Sequence, residues 1–200
     1  WGRYAFLPTR GGAVIFDAPG SLHQNTGLET VSESRPSTGL GYIYGGEDQE
    51  SRAARWAGEI ADLVSTHCGS DRRLALDRID PLGAAALALN HVEMVDASGI
   101  MERARVIKSD DEIACMREAI TACEMGMRAM RDALAPGITE NELWSLLHQV
   151  NIAYNGEWLE TRCLASGPRT NPWLQECSDR RIQAGELVAF DTDLIGPWGY

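Results

Sequence analysis

The chain has 200 residues, 44% of them hydrophobic, enough for one large or two small domains with a real core. Eighteen Lys and Arg against 29 Asp and Glu give a formal net charge of −11, and no basic cluster exceeds a pair of arginines, which argues against nucleic acid and anionic membrane surfaces as partners. No stretch approaches the ~18 apolar residues of a membrane span, and the start lacks the charged-then-apolar pattern of a signal peptide.

Residues 11–16, GGAVIF, suit a strand, and the Gly-, Ser- and Thr-rich stretch from Ser21 to Gly46 reads as loop or irregular sheet. From Glu50 to Val64, apolar residues at Ala54, Ala57, Ile60, Ala61 and Val64 have helical spacing. LALDRI (74–79) reads as a strand, PLGAAALALN (81–90) as a helix begun by proline, and VEMVDAS (92–98) as another strand. This alternation predicts an α/β unit with parallel pairing.

A boundary falls at about Ile107. Beyond it, Ser109 to Glu112 spells a capping box, and Ile113, Met116, Ile120, Cys123, Met127, Met130 and Leu134 place one apolar stripe on a long helix. On this reading the methionines fill a core, and Cys115 and Cys123 are core residues. Pro136-Gly137 ends the helix. Thr139 to Glu142 caps a second one, with Leu143, Leu146, Leu147 and Val150 on one face and His148 off it, at the surface. TRCLAS (161–166) reads as a strand, GPRTNPW (167–173) as a loop and ELVAFD (186–191) as a strand. The five cysteines, Cys68, Cys115, Cys123, Cys163 and Cys177, are odd in number and form no CxxC pair, which fits reduced thiols in a cytoplasmic protein. A first residue of Trp1 and a last of Tyr200, with a strand still under way, read as a length cut from a longer protein.

Asp191 and Asp193 stand one residue apart where the last strand ends. Two carboxylates brought together there raise each other's self-energy, so they call for a cation or an exposed bend.

Four phrases in this order resemble the pita-bread metallopeptidase family of creatinase, prolidase, aminopeptidase P and methionine aminopeptidase. They are RVIKSDDEIACMREA (105–119), PGITENEL (136–143), LASGPRTNP (164–172) and GELVAFD (185–191). VDASGIMERARVIKS (95–109) is similar to that family's join to its N-terminal domain. The resemblance implies an α/β creatinase-type N-terminal domain over 1–104 and the first part of an α+β pita-bread catalytic domain over 105–200, truncated. It further implies two divalent transition-metal ions, Mn, Fe, Co or Zn, suited to hard oxygen ligands and a later histidine. Asp191 matches the family's first metal aspartate, and the remaining ligands are expected beyond Tyr200.

Two departures mark a branch. Asp193 occupies a place where the peptidases carry Gly or Ala, as an extra ligand candidate. Trp173 follows the loop's proline where prolidase-like members have a substrate-holding histidine. Both look like the branch that cleaves dimethylsulfoniopropionate to dimethyl sulfide and acrylate. Trp173 and Trp198 are the candidates to receive the sulfonium on their aromatic faces, the alternative being ordinary packing tryptophans. The catalytic base is expected beyond residue 200, and nothing distinguishes Glu176 or Asp179 from solvated acids. The competing readings are an Xaa-Pro peptidase or prolidase and a metal-free binding relative. A homodimer is expected by analogy with the family.

Overall fold

The computed structural model describes residues 2–200, so Trp1 lies outside the described residues. The chain divides into two compact units, one ending at Val106 and one running from Ile107 to Tyr200.

The first unit holds β1 (Tyr4–Phe6), β2 (Ala13–Asp17) and β3 (Val31–Pro36) in one sheet, with β1 antiparallel and β3 parallel to β2. The short α1 (Tyr42–Gly45) leads to the long α2 (Gln49–Cys68). Then β4 (Arg73–Leu76), α3 (Pro81–Leu89) and β5 (Glu93–Asp96) form a strand–helix–strand unit in which β4 and β5 pair in parallel. That unit is the one the alternating pattern predicts. Asp80 caps α3 by accepting from the Gly83 amide at 2.8 Å, and Pro81 opens it, where the missing N–H costs nothing. The core joins Phe6, Val14 and Phe16 of the sheet to Trp56, Ala57, Ile60 and Val64 of α2 and Leu87 of α3. Tyr4 stacks on Phe16 with ring centroids 4.5 Å apart.

β3 lies inside the stretch read as loop or irregular sheet: its sequence, VSESRP, is polar, and its pairing with β2, with a register shift, makes it a strand. Another element was not expected. Helix α4 (Ser98–Val106) follows β5 directly, its start held by Asp96 Oδ1, which accepts from the Ser98 amide and hydroxyl.

In the second unit α5 (Asp110–Ala133) and α6 (Glu140–Ala153) each open with the predicted capping box, from Ser109 and Thr139. They form a helical hairpin: Tyr154, just past α6, donates to Glu118 near the start of α5 at 3.0 Å. The stripe that seats α5 is Ala119, Ala122, Gly126 and Met130, one step round the helix from the one expected. Ile113, Met116, Ile120, Met127 and Leu134 remain exposed, Ile120 by 56%, so of the predicted methionines only Met130 is core. Cys115 and Cys123 are only partly buried. His148 is half-buried, edge-on to Trp144 at 6.2 Å.

Strands β6 (Trp158–Leu159), β7 (Leu164–Ser166), β8 (Val188–Phe190) and β9 (Leu194–Ile195) make two antiparallel ladders, β6 with β9 and β7 with β8. The core of this unit gathers Met130, Leu143, Trp144, Leu147, Leu159, Leu164, Cys177 and Ile182.

Candidate active site

Asp191, Thr192 and Asp193 occupy the step between the two ladders. Leu164 pairs with Phe190 and Leu159 with Leu194, so residues 160–163 face only residues 191–193, and the longer strand bulges by one residue. Such bulges bend a strand and re-aim its side chains, and they are common beside active sites. Backbone bonds hold the step on both sides: the Asp191 amide donates to Cys163 O at 3.0 Å, and the Glu160 amide to Asp193 O at 3.2 Å. The side chains alternate as an extended chain requires. Asp191 and Asp193 are exposed, and Thr192 between them turns inward, its hydroxyl buried without a partner.

Neither carboxylate forms a side-chain hydrogen bond or ion pair among the described residues. Both act on the neighbouring Cys163: burial pushes its thiol up, and the charges of Asp191 and Asp193 push it further. Two unpaired carboxylates on one face of a backbone-fixed step are a donor set that fits a hard divalent cation. Among the described residues no three His, Cys, Asp or Glu side chains gather to hold a metal.

The loop before this strand is organised by a residue that sequence reasoning passed over. Glu140, at the first position of α6, is fully buried. Its Oε1 accepts from the Ser166 amide at 2.8 Å and hydroxyl at 2.7 Å. Its Oε2 accepts from the Ser178 amide at 3.1 Å and hydroxyl at 2.7 Å, and forms an ion pair with Arg169. Burial pushes the carboxyl up, but these hydrogen bonds outweigh it and hold the group below the ordinary glutamate range. A second ion pair, Arg180 with Glu186, lies alongside, and Arg180 also donates to Ser166 Oγ at 2.6 Å. Gly167 sits at φ 54°, and a Cβ there would come within 2.4 Å of Glu186 Oε1, so another residue would be strained and would push the Glu186 carboxylate aside. The sequence signal was a glutamate immediately after a threonine cap, which by itself reads as a charge complementing the helix dipole.

Among the described residues the two candidate tryptophans make no ring contact with each other. Trp173 is 41% exposed in the loop after Gly167, beside Leu174, whose φ is 66°. Trp198 is 70% exposed in the turn 197–199 and lines a cleft with Glu118, Tyr154 and Asn155. Of the two acids in the loop region, Asp179 accepts from the Asn141 side chain at 2.9 Å, and Glu176 is exposed.

Residues 114–200 match the model of metallopeptidase family M24. Two curated relatives of this chain are proteins named dimethylsulfoniopropionate lyase DddP. The one from Roseovarius nubinhibens is 42% identical over 191 residues, 93% of this chain and 43% of that protein. The one from Roseobacter denitrificans is 39% identical over 202 residues, 98% of this chain and 45% of that protein. The chain thus spans less than half the length of either relative. Among solved structures, the Xaa-Pro dipeptidase from Bacillus anthracis superposes with a TM-score of 0.72 at 20% identity, over 95% of this chain and 52% of that one. The fold is therefore that of the pita-bread enzymes in its catalytic part.

Proposed function

We propose that this chain carries part of a metal-dependent lyase that eliminates dimethyl sulfide from dimethylsulfoniopropionate and leaves acrylate. One observation carries the reading: two lyases of that name are 42% and 39% identical to the chain across nearly all of it. The unpaired carboxylates of Asp191 and Asp193 support the metal part, since both are exposed on the step opposite the bulge and would hold one or both of two divalent ions. When bound, such ions supply positive charge that stabilises negative charge developing on the substrate carboxylate.

In the elimination a base takes a proton from the carbon next to the carboxylate. The carbon–carbon double bond forms, and the carbon–sulfur bond breaks with its electron pair leaving on sulfur. The sulfonium has no proton to donate, so its natural receptor is an aromatic face, and Trp173 and Trp198 are exposed enough to serve. The base lies outside residues 1–200 on this reading. Residues 1–104 are assigned to the creatinase-type N-terminal domain, and the protein to a cytoplasmic homodimer. No described helix is long and apolar enough to cross a membrane.

The test is to supply dimethylsulfoniopropionate to the full-length protein containing this chain, with its metal, and to assay headspace dimethyl sulfide beside an Xaa-Pro dipeptide. Release that is lost on Asp191→Ala upholds the lyase. Dipeptide cleavage without dimethyl sulfide returns the protein to the peptidases, and no metal binding by the wild type leaves the metal-free binding relative.

A further inference from the structure

The loop from Gly167 to Cys177 leaves and rejoins the fold at one point, the Glu140 carboxylate. Ser166, just before it, gives Oε1 two hydrogen bonds, and Ser178, just after it, gives Oε2 two more. Arg169 reaches back from inside the loop to the same oxygen by an ion pair, and spans the loop by donating to Glu176 O at 2.7 Å. The α6 backbone joins the clamp, with the Glu140 amide donating to Arg180 O and the Asn141 amide to Ser178 O, each at 3.0 Å. A compact loop with adjoining ends is suited to recognition when its base is rigid. The tip is the reverse of the base. Trp173 and Leu174 are exposed by 41% and 75%, and Leu174 holds a left-handed backbone that leucine rarely adopts.

A buried charge with five donors is a costly way to end a helix turn if the loop above it has no task. Thr139 already caps α6, and Glu142 completes the box, so Glu140 is not needed to start the helix. Its donors come instead from the two feet of the loop and from its interior.

We propose that Glu140 is a positioning residue for substrate: it fixes the base of the loop, and thereby holds Trp173 where it receives the cationic end of the substrate. This rests on the lyase reading for the identity of that substrate, but the stapling of the loop is independent of it. A pre-set loop loses little freedom on binding, so loosening it raises KM and leaves kcat nearly unchanged.

The experiment uses the full-length protein with Glu140→Gln, Trp173→Ala, both together, and Ser178→Ala, which removes one hydroxyl and leaves the other donors. Two quantities are read: the rate of chymotrypsin cleavage after Trp173 and Leu174 in the native protein, located by mass spectrometry, and KM and kcat for dimethylsulfoniopropionate. Glu140→Gln is expected to speed cleavage about tenfold by freeing the loop. It should also raise KM about tenfold with kcat within about twofold, and add little to KM once Trp173 is alanine. Ser178→Ala should move both quantities the same way by less, and it decides the matter should Glu140→Gln fail to fold. Unchanged cleavage, or KM penalties that multiply with those of Trp173→Ala, would overturn the proposal. A wild type that releases no dimethyl sulfide removes the substrate assignment along with the lyase reading, while the cleavage rates still decide whether Glu140 staples the loop.

Discussion

A carboxylate at zero exposure stays ionised only if its surroundings replace the water it lost, and around Glu140 five donors from Ser166, Ser178 and Arg169 do so. The sign of its effect on stability follows. Its carboxyl titrates below the ordinary range in the folded state, so the unfolded chain takes up its proton first as pH falls. The stabilisation is complete above the unfolded value of about 4.3 and is lost as pH drops toward and through the folded value. Urea midpoints measured from pH 7 downward should therefore decline below about pH 4.3, and the decline should be shallower in Glu140→Gln. Removing the cation instead leaves the buried charge short of a partner, so Arg169→Met should cost roughly 3 kcal/mol at pH 7. A loss under about 0.5 kcal/mol would mean that the serines alone suffice. None of this was legible in the sequence. The serines and the arginine come from positions 26 to 38 residues away, and only the fold brings them to Glu140.

Among the elements, the helical hairpin shows what periodicity resolves and what it leaves open. Both capping boxes were readable because their partners are three residues apart, and both helices start where the boxes say. Which face of α5 packs was not readable, since Ile113, Met116, Ile120 and Met127 make a stronger apolar pattern than Ala119, Ala122 and Gly126. The small residues won because α6 approaches closely. A Cβ at Gly126 would meet Leu147 Cδ1 at 2.4 Å, and Leu147 is fully buried. Gly126→Val should therefore lower stability by roughly 1–3 kcal/mol despite valine's better helix propensity, measured as a shift in urea midpoint. Gly58 in α2 is the control, because a Cβ there meets nothing within 4 Å. Gly58→Ala should stabilise by roughly 0.5–1 kcal/mol. If both substitutions moved the midpoint in the same direction, the close approach at Gly126 would not be what selects glycine there.

Across the whole chain, each unit has its own apolar core, the first around Phe16, Trp56 and Leu87, the second around Leu143, Leu147 and Leu164. The parallel strand–helix–strand unit of the first was legible from alternating pattern, because two short apolar-bearing segments flank a proline-led helix, a strong local signal even though β4 and β5 are largely exposed. The two carboxylates of the candidate site, Asp191 and Asp193 at the end of a strand, were legible, but not the step's geometry, since its pairing opposite the bulge in residues 160–163 is non-local.

That geometry sets an expectation for metal binding. Two carboxylates from one short step can replace only part of a divalent ion's water shell, and among the described residues no group of three His, Cys, Asp or Glu forms around them. Residues 1–200 produced alone should therefore show no saturable Mn²⁺ binding at micromolar concentration by calorimetry and no release of dimethyl sulfide. The full-length protein should bind metal tightly and lose bound ion, by elemental analysis, in Asp191→Asn and Asp193→Asn. Tight binding by the 200 residues alone would mean that they hold a complete ligand set. Unchanged metal content in Asp193→Asn would instead make that residue a solvated acid with no part in metal binding.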